Sequence, residues 1–240
     1  MENTKKLDVI FKFSQEEIPV GQLVQDGKNI LFKYRSDYLE SGFNISPKKL
    51  VFDDSIQTTV SFPFHGLFGV FADSLPDAWG NLVLRRWLNS KLIPIEQITV
   101  LDRLSFVGEN GPGALLYKPS NEETTSNEAL DLDFLDDHLE AILSGESEEI
   151  IDDLFNKGGS PGGARPKVYA GYNPATNNLI YGSNELPEPF EHWMIKFSAV
   201  TDFVDSADCE MAYYLMATVS GIEMSESKLL KGKSGKTYFA

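Results

Sequence analysis

A glycine-rich segment in the second half of the chain has the composition of a phosphate-binding loop. Four of the six residues in 158–163 are glycine, and glycines let a backbone turn successive N–H groups toward an anion. The segment contains no G-x-x-x-x-G-K-[ST] pattern and does not open directly into a predicted helix, which excludes a P-loop and a dinucleotide-binding fingerprint. From composition alone, an ordinary flexible turn remains the alternative interpretation.

A lysine and a glutamate could complete such a site. Lys196 interrupts the apolar strand pattern of 193–197, where an ammonium group is unfavourable unless it is paired. Strand alternation places Lys196 on the face opposite Ile195, and Glu210 follows fourteen residues later in a predicted helix. Protein kinases hold nucleotide phosphates with a strand lysine that pairs with a helix glutamate. The alternatives are an edge-strand lysine that reaches water and a solvent-exposed helical glutamate.

The elements that would position these residues follow the glycine-rich segment in the order hairpin, strand, helix. The predicted elements of the second half are helices over 134–142 and 150–155, strands over 168–172, 179–181 and 193–197, and an amphipathic helix from Cys209 to Gly221. A short antiparallel sheet that is followed by a helix is therefore expected to hold the site.

The first half of the chain is predicted to be rich in strands. Its predicted elements are a hairpin or meander over 7–34 with turns at Val20-Gly21 and Asp26-Gly27, a helix that Ser74 caps and that ends near Ser90, a helix over 95–104, and a strand over 114–117. Pro76 and Asp77 would lie in the first turn of the helix that Ser74 caps, where both residue types are favourable.

An acidic stretch separates the two halves. Between Lys118 and Lys157 there are thirteen carboxylates and no Lys or Arg, so this interval carries most of the net charge of −15. Its first part is rich in Ser, Thr, Asn and Glu, which is typical of an exposed connector. The sequence therefore predicts an α+β protein with an amino-terminal subdomain over 1–118, a linker over 119–131 and a second domain over 132–240.

Composition argues against several other classes of protein. Cys209 is the single cysteine, which excludes an internal disulfide and a CxxC zinc site. Charges at Asp8 and Lys12 interrupt the apolar run near the N-terminus, so no signal peptide is predicted. No later stretch approaches about 18 apolar residues, so no membrane span is predicted, and the cytoplasm is the expected location. The basic residues form no stripe, so nucleic acid is expected to be contacted only indirectly, through a partner.

Five segments resemble, in this order, the HipA kinases of bacterial toxin–antitoxin systems. They are 71–80 (FADSLPDAWG), 102–108 with 112–115 (DRLSFVG and PGAL), 160–167 (SPGGARPK), 193–197 (WMIKF) and 210–215 (EMAYYL). The resemblance runs over nearly the whole chain. It implies a β-rich amino-terminal subdomain followed by a kinase-like amino-terminal lobe with a Gly-rich loop, antiparallel strands and a helix.

The resemblance also implies that the parent protein is a serine/threonine kinase with ATP and Mg²⁺ as cofactors. The ATP-binding residues that it implies are Gly162, Gly163, Ala164, Lys167, Lys196 and Glu210. Phosphorylation of Ser160 would displace the loop and switch the enzyme off, because a phosphate of about −1.5 to −2 charge competes for the site of the ATP phosphates. A turn serine that satisfies local backbone groups is the alternative for Ser160.

In this family the catalytic base and the metal ligands lie beyond the position of Ala240, so no catalytic residue and no metal ligand is assigned here. We therefore expect an amino-terminal fragment that lacks the carboxy-terminal lobe and is inactive by itself. The implied partners are a helix-turn-helix antitoxin (HipB-like) and a protein substrate, for which an aminoacyl-tRNA synthetase is the candidate. The alternative function is a non-catalytic interaction module that binds an antitoxin or a separately encoded kinase.

Overall fold

The computed structural model divides the chain into two compact units. Unit 1 comprises Met1–Pro76 and Ile93–Glu123, and unit 2 comprises Asp77–Leu92 and Thr124–Ala240. The residues that the structure describes are 5–13, 16–111, 113–119, 128–144, 151–157, 163–182, 186–199, 202–203 and 205–240.

Runs of strands and runs of helices follow one another along the described chain. The elements, in chain order, are β1 (Lys6–Phe13), β2 (Glu16–Asp26), β3 (Asn29–Tyr34), α1 (Ser36–Ser41), α2 (Gly69–Ala72), α3 (Ala78–Ser90), α4 (Val100–Val107), β4 (Leu115–Lys118), α5 (Leu132–Ser144), α6 (Ile151–Lys157), β5 (Lys167–Asn173), β6 (Asn178–Tyr181), β7 (Glu191–Lys196), α7 (Ser206–Val219), β8 (Leu229–Lys231) and β9 (Thr237–Phe239).

Unit 1 is built on a four-stranded antiparallel sheet with the order β3-β2-β1-β4. The predicted meander is confirmed, and its turn at Asp26-Gly27 joins β2 to β3. The predicted turn at Val20-Gly21 is wrong, because β2 continues through it with a shift in its register to β1. Close packing explains this glycine, since a Cβ at Gly21 would overlap the carbonyl oxygen of Lys33 and the ring of Phe32.

A capping box sets the start of α4 in unit 1. The Thr99 hydroxyl accepts the N–H of Asp102 at 3.1 Å, and the Asp102 carboxylate accepts the N–H of Thr99 at 2.8 Å. The helix predicted over 95–104 is therefore corrected: Ile95–Gln97 form a 3₁₀ turn, and α4 begins only at Val100. The core beneath this helix and the sheet includes Leu7, Val9, Leu23, Phe32, Phe71, Leu101, Leu104 and Tyr117.

The helix predicted to begin after Ser74 begins later. α3 starts at Ala78, and Asp77 is its N-terminal flanking residue. The Ser74 hydroxyl instead accepts a hydrogen bond from the hydroxyl of Tyr117 at 2.9 Å, within unit 1, so it is not used as a cap. The predicted end near Ser90 is confirmed.

Unit 2 contains a five-stranded antiparallel sheet with the order β6-β5-β7-β9-β8. The hairpin and third strand predicted after the glycine-rich segment are confirmed as β5, β6 and β7. Alternate residues of β5 and β7 enter a core with α3, α5 and α6. The core includes Trp79, Val83, Leu135, Leu139, Leu154, Val168, Ala170, Ile195, Phe197 and Tyr238.

α7 departs from its predicted amphipathic character. The helix was expected from Cys209 to Gly221 and runs over Ser206–Val219, with no residue buried. Leu215, Met216 and Val219 are 51%, 56% and 88% exposed. Its apolar side chains are distributed around the helix instead of forming one stripe.

The two sheets and their helices give an α+β fold, as predicted. The limits predicted for the two domains stay a prediction, and the compact units differ from them in two respects. α3 lies in unit 2, although 78–90 fall within the predicted first part, and the predicted linker over 119–131 is divided between the units after Glu123. Among the helices formed by the described residues, none combines the length and the hydropathy needed to cross a membrane.

Candidate functional site

Lys196 is the last residue of β7 and lies between two neighbouring strands. Its register partners are Lys167 on β5 and Phe239 on β9. Side chains that lie directly opposite each other in an antiparallel pair share a face, so Lys167 and Lys196 project to the same side of the sheet. Ile195 projects to the other side and is fully buried in the core.

The Lys196 ammonium forms an ion pair with the Glu210 carboxylate. Glu210 lies in the second turn of α7, and its Oε2 accepts a hydrogen bond from Lys196 Nζ. The same ammonium lies 5.1 Å from the centroid of the Phe239 ring, which is a cation–π distance. The side chains of Lys196 and Glu210 are 31% and 41% exposed, so a ligand can reach the pair from solvent.

Lys167 is a second and more deeply buried ammonium beside Lys196. The residue is 6% exposed, and burial lowers the pKa of its side chain from the ordinary value of 10.5. The carboxylate of Asp77 opposes this shift in pKa most strongly, Lys196 adds to it, and Glu210 opposes it more weakly. A buried ammonium next to another cation favours an anionic ligand, because the anion stabilises both charges.

Gly163 is the one residue of the segment 158–163 that the structure describes, and it lies next to the side chain of Lys167. Its φ is +109°, in the region that favours glycine, and a Cβ there would overlap Nζ of Lys167. Glycine at this position therefore lets the ammonium approach the backbone. Ala164 follows it in the same loop and is exposed.

Trp79, in the first turn of α3, ties this loop to the sheet. Its backbone N–H donates to the carbonyl oxygen of Gly163 at 3.1 Å. Its indole Nε1–H donates to the carbonyl oxygen of Lys167 at 2.9 Å, in a buried hydrogen bond. Trp79 thus fixes both Gly163 in the loop and Lys167, the first residue of β5.

A cavity of about 220 Å³ lies beside the Lys196–Glu210 pair, and its lining includes Arg165 and Asp202. Arg165 and Asp202 form a second ion pair at 2.5 Å, and the Asp202 carboxylate also accepts the N–H of Ala199 at 2.8 Å. Two cations that are each held by a carboxylate therefore face one cavity. An anion that enters it can compete with the carboxylates for either cation.

Four of the six predicted ATP-binding residues meet at this site, namely Gly163, Lys167, Lys196 and Glu210. Ala164 lies in the loop beside them. Gly162 and the predicted regulatory residue Ser160 lie outside the described residues. The assignment of all these residues to ATP and to regulation stays a prediction.

Sequence reasoning missed Asp77 and Trp79 as parts of this site. The sequence predicts only a helix-terminal role for Asp77, and nothing in the pattern around Trp79 indicates contact with a residue 88 positions later. The one available signal is that both residues lie in the segment 71–80. That segment resembles a family phrase but carries no chemical pattern of its own.

Comparison with known families identifies two parts of the chain. Residues 12–118 match the HipA N-terminal domain, and residues 159–240 match the HipA-like C-terminal domain. A search of curated proteins found no significant match, and neither did a search of solved structures. The two family matches together contain every residue of the site described above. The chain therefore belongs to the HipA-like family.

Proposed function

We propose that the chain is the nucleotide-binding part of a HipA-like serine/threonine protein kinase, the toxin of a type II toxin–antitoxin system. In this proposal the site binds the phosphates of ATP. The observation that supports it most directly is the ion pair between Lys196 on a strand and Glu210 on the next helix, beside the Lys167 ammonium.

The order of the elements around the site supports the same proposal. The glycine-rich segment leads into the β5–β6 hairpin, β7 carries Lys196, α7 carries Glu210, and β8 and β9 complete the sheet. Protein kinases place their Gly-rich loop, lysine and glutamate in this order. A flexible turn and a lysine that merely reaches water do not account for the buried Lys167 or for the two hydrogen bonds of Trp79.

Each residue has a separate role in this proposal. Lys196 and Lys167 donate charge-assisted hydrogen bonds to phosphate oxygens, and Glu210 holds the Lys196 ammonium in position. Bound ATP supplies the phosphoryl group that a kinase transfers. Among the described residues, no group of three or more His, Cys, Asp or Glu side chains could hold a metal ion. We assign neither metal ligands nor a catalytic base to them.

The proposal extends to regulation and partners on the strength of family membership. Phosphorylation of Ser160 would switch off nucleotide binding, because its charge competes with the ATP phosphates. The partners are a helix-turn-helix antitoxin of the HipB-like kind and a protein substrate, with an aminoacyl-tRNA synthetase as the candidate. Contact with nucleic acid would be made through the antitoxin, in the cytoplasm.

The exposed apolar residues of α7 favour a second candidate function, that of a non-catalytic interaction module for an antitoxin or a separately encoded kinase. The reading frame after the codon for Ala240 discriminates between the two functions. A continuation with an Asp-x-x-x-x-Asn catalytic loop supports the kinase, and an immediate stop codon supports the module.

A lysine substitution tests the ATP site directly. Lys196→Met removes the ammonium but keeps an unbranched apolar stem of similar reach. Because a hydrogen bond to a charged group contributes about 1.5–3 kcal/mol, the variant should bind ATP at least about tenfold more weakly. The measurement is an NMR titration of the full chain with ATP to millimolar concentration, a range in which weak binding is also detected.

The control is Lys33→Met, which removes an exposed strand lysine from β3 in unit 1 and should leave the affinity for ATP unchanged. If wild-type chain and Lys196→Met give the same titration, Lys196 does not contact the phosphates. If the wild-type chain shows no shifts at Gly163, Lys167 or Lys196, the ATP site itself is wrong.

A further inference from the structure

The first turn of α3 is joined to the candidate site by two hydrogen bonds from one residue, Trp79. Trp79 donates one hydrogen bond to Gly163 and one to Lys167, and these two acceptors bracket the segment that carries the Lys167 ammonium onto the sheet. The indole is 2% exposed, so its hydrogen bond is protected from competition with water. Trp79 therefore holds the loop through its backbone N–H and the first residue of β5 through its indole.

The ammonium groups of Lys167 and Lys196 repel each other, and a carboxylate at the N-terminal end of α3 reduces the effect of this repulsion on Lys167. Lys167 and Lys196 are directly opposite each other on adjacent strands, an arrangement that is unfavourable for like charges. Glu210 neutralises Lys196 through an ion pair. The carboxylate of Asp77 acts on Lys167 and is the largest factor that favours its charged form.

Asp77 itself is placed at some cost. Its Oδ1 is buried and has no hydrogen-bond partner among the described residues, and its side chain makes no capping bond to α3. A buried acceptor without a partner destabilises the folded state, because it has lost its hydrogen bonds to water. Attraction between the Asp77 carboxylate and the Lys167 ammonium offsets part of this cost. The same ammonium can attract an anionic ligand.

We infer that Asp77 and Trp79 are positioning residues of the phosphate-binding site: Trp79 fixes the backbone of Gly163 and Lys167, and the Asp77 carboxylate attracts the Lys167 ammonium. This inference rests on the proposed function, since it assumes that the ligand is the phosphate chain of a nucleotide. Neither residue contacts the phosphates in this inference, and both act through Lys167.

The sign of the pH effect follows from the groups that face Lys167. Among the described residues these include Asp77 before α3, Lys196 on β7 and Glu210 on α7, and Tyr169 lies on the same face of β5 as Lys167. Burial lowers the pKa of Lys167 and Asp77 raises it, so the loss of the Asp77 carboxylate lowers the pKa further. The Lys167 ammonium should then lose its proton, and its attraction for phosphate, at a lower pH than in the wild-type chain.

A ligand-free measurement tests the link between Asp77 and Lys167. With lysine labelled by ¹³C at Cε, an NMR titration of the full chain follows the ionisation of Lys167. Asp77→Asn, which has nearly the same shape, should lower the titration midpoint of Lys167, whereas the exposed control Asp54→Asn should not. Superimposable Lys167 curves for the wild-type chain and Asp77→Asn would overturn the role of Asp77 without touching the ATP proposal.

ATP titrations then test the positioning roles. Asp77→Asn should move the alkaline loss of ATP affinity to lower pH, while a purely structural role would weaken binding equally at all pH values.

Trp79→Phe should weaken ATP binding at least about fivefold, and Trp87→Phe, which removes an indole stacked on Phe155 farther along the same helix, should not. Melting temperatures of both Trp variants show whether a general loss of stability explains the difference.

The outcomes separate the two claims. If Lys196→Met weakens ATP binding but Asp77→Asn and Trp79→Phe behave like their controls, the inference fails and the proposed function stands. If the wild-type chain binds no ATP, both fail.

Discussion

At the scale of single residues, the candidate site depends on the close contact between the backbone of Gly163 and the ammonium of Lys167. Four glycines in six residues indicate a loop that can approach a charged group, and Lys196 in an apolar strand indicates a paired ammonium. The sequence does not indicate that Lys167 is buried, because burial depends on which strand lies beside it. Cross-strand pairing with Lys196 is a tertiary property that no local pattern encodes.

Gly163→Ala tests this contact at the residue scale. The substitution should cost about 1–2 kcal/mol of stability, because L-residues rarely adopt a positive φ, and it should also displace the Lys167 ammonium, on which the new Cβ encroaches. We expect ATP binding to weaken by more than the loss of stability explains. Calorimetric unfolding and ATP titration measure the two effects.

Gly235→Ala is the matched control for Gly163→Ala. Gly235 also has a positive φ, of +90°, but nothing lies within 4 Å of the Cβ that alanine would add. It should share the loss of stability and leave ATP binding unchanged. Equal ATP affinities in the two variants would show that backbone strain alone, and not displacement of Lys167, is the consequence of alanine at 163.

At the scale of elements, prediction succeeded where the pattern was local and failed where it depended on neighbours. The strands β5, β6 and β7 follow alternation and turn residues, and they form where expected. The sequence contains a signal for the start of α4, because Thr99-x-x-Asp102 is a capping box. The predicted helix nevertheless began at Ile95, because the apolar periodicity extends back to that residue. The sequence contains no such signal for the start of α3, since the Ser74 hydroxyl accepts a hydrogen bond from Tyr117, a residue far along the chain.

Removal of the cap tests what sets the start of α4. Thr99→Ala deletes the hydroxyl that accepts the N–H of Asp102 and should destabilise unit 1 by about 1 kcal/mol. Thr58→Ala, at an exposed position of unit 1 outside any helix, is the control and should change stability by less than about 0.5 kcal/mol. Urea unfolding compares the two variants, and indistinguishable midpoints would rule out the cap as the determinant.

At the scale of the whole molecule, each unit has its own hydrophobic core, and the acidic stretch is more than a solvated connector. In unit 2 its later residues bind the turn between β8 and β9: Asp131 pairs with Lys233, and Asp136 pairs with Lys236. Asp133 accepts the N–H and the hydroxyl of Ser234, each at 2.7 Å. These bonds lower the pKa values of Asp131 and Asp133, so their contribution to stability is present at neutral pH and is lost as the pH falls through those values.

The core of unit 2 can be tested by truncating a side chain. Leu139 is 2% exposed on α5, and Leu139→Ala should cost about 2–5 kcal/mol because it leaves a cavity. Hydrogen exchange of the amides in β5 and β7, whose inner faces share that core, should accelerate accordingly. Leu92→Ala, at a position that is 90% exposed in the same unit, should leave the exchange unchanged, and equal acceleration in both variants would contradict this account of the core.

The exposed apolar surface of α7 also bears on how the chain behaves in solution. Hydrophobic side chains that nothing covers favour self-association, and the net charge of −15 opposes it through electrostatic repulsion between copies. Added electrolyte screens that repulsion but leaves the attraction between apolar side chains in place. The colloidal stability of this protein is therefore set by ionic strength as much as by its fold, and a preparation that is monodisperse in dilute buffer will tend to cluster as the salt concentration rises.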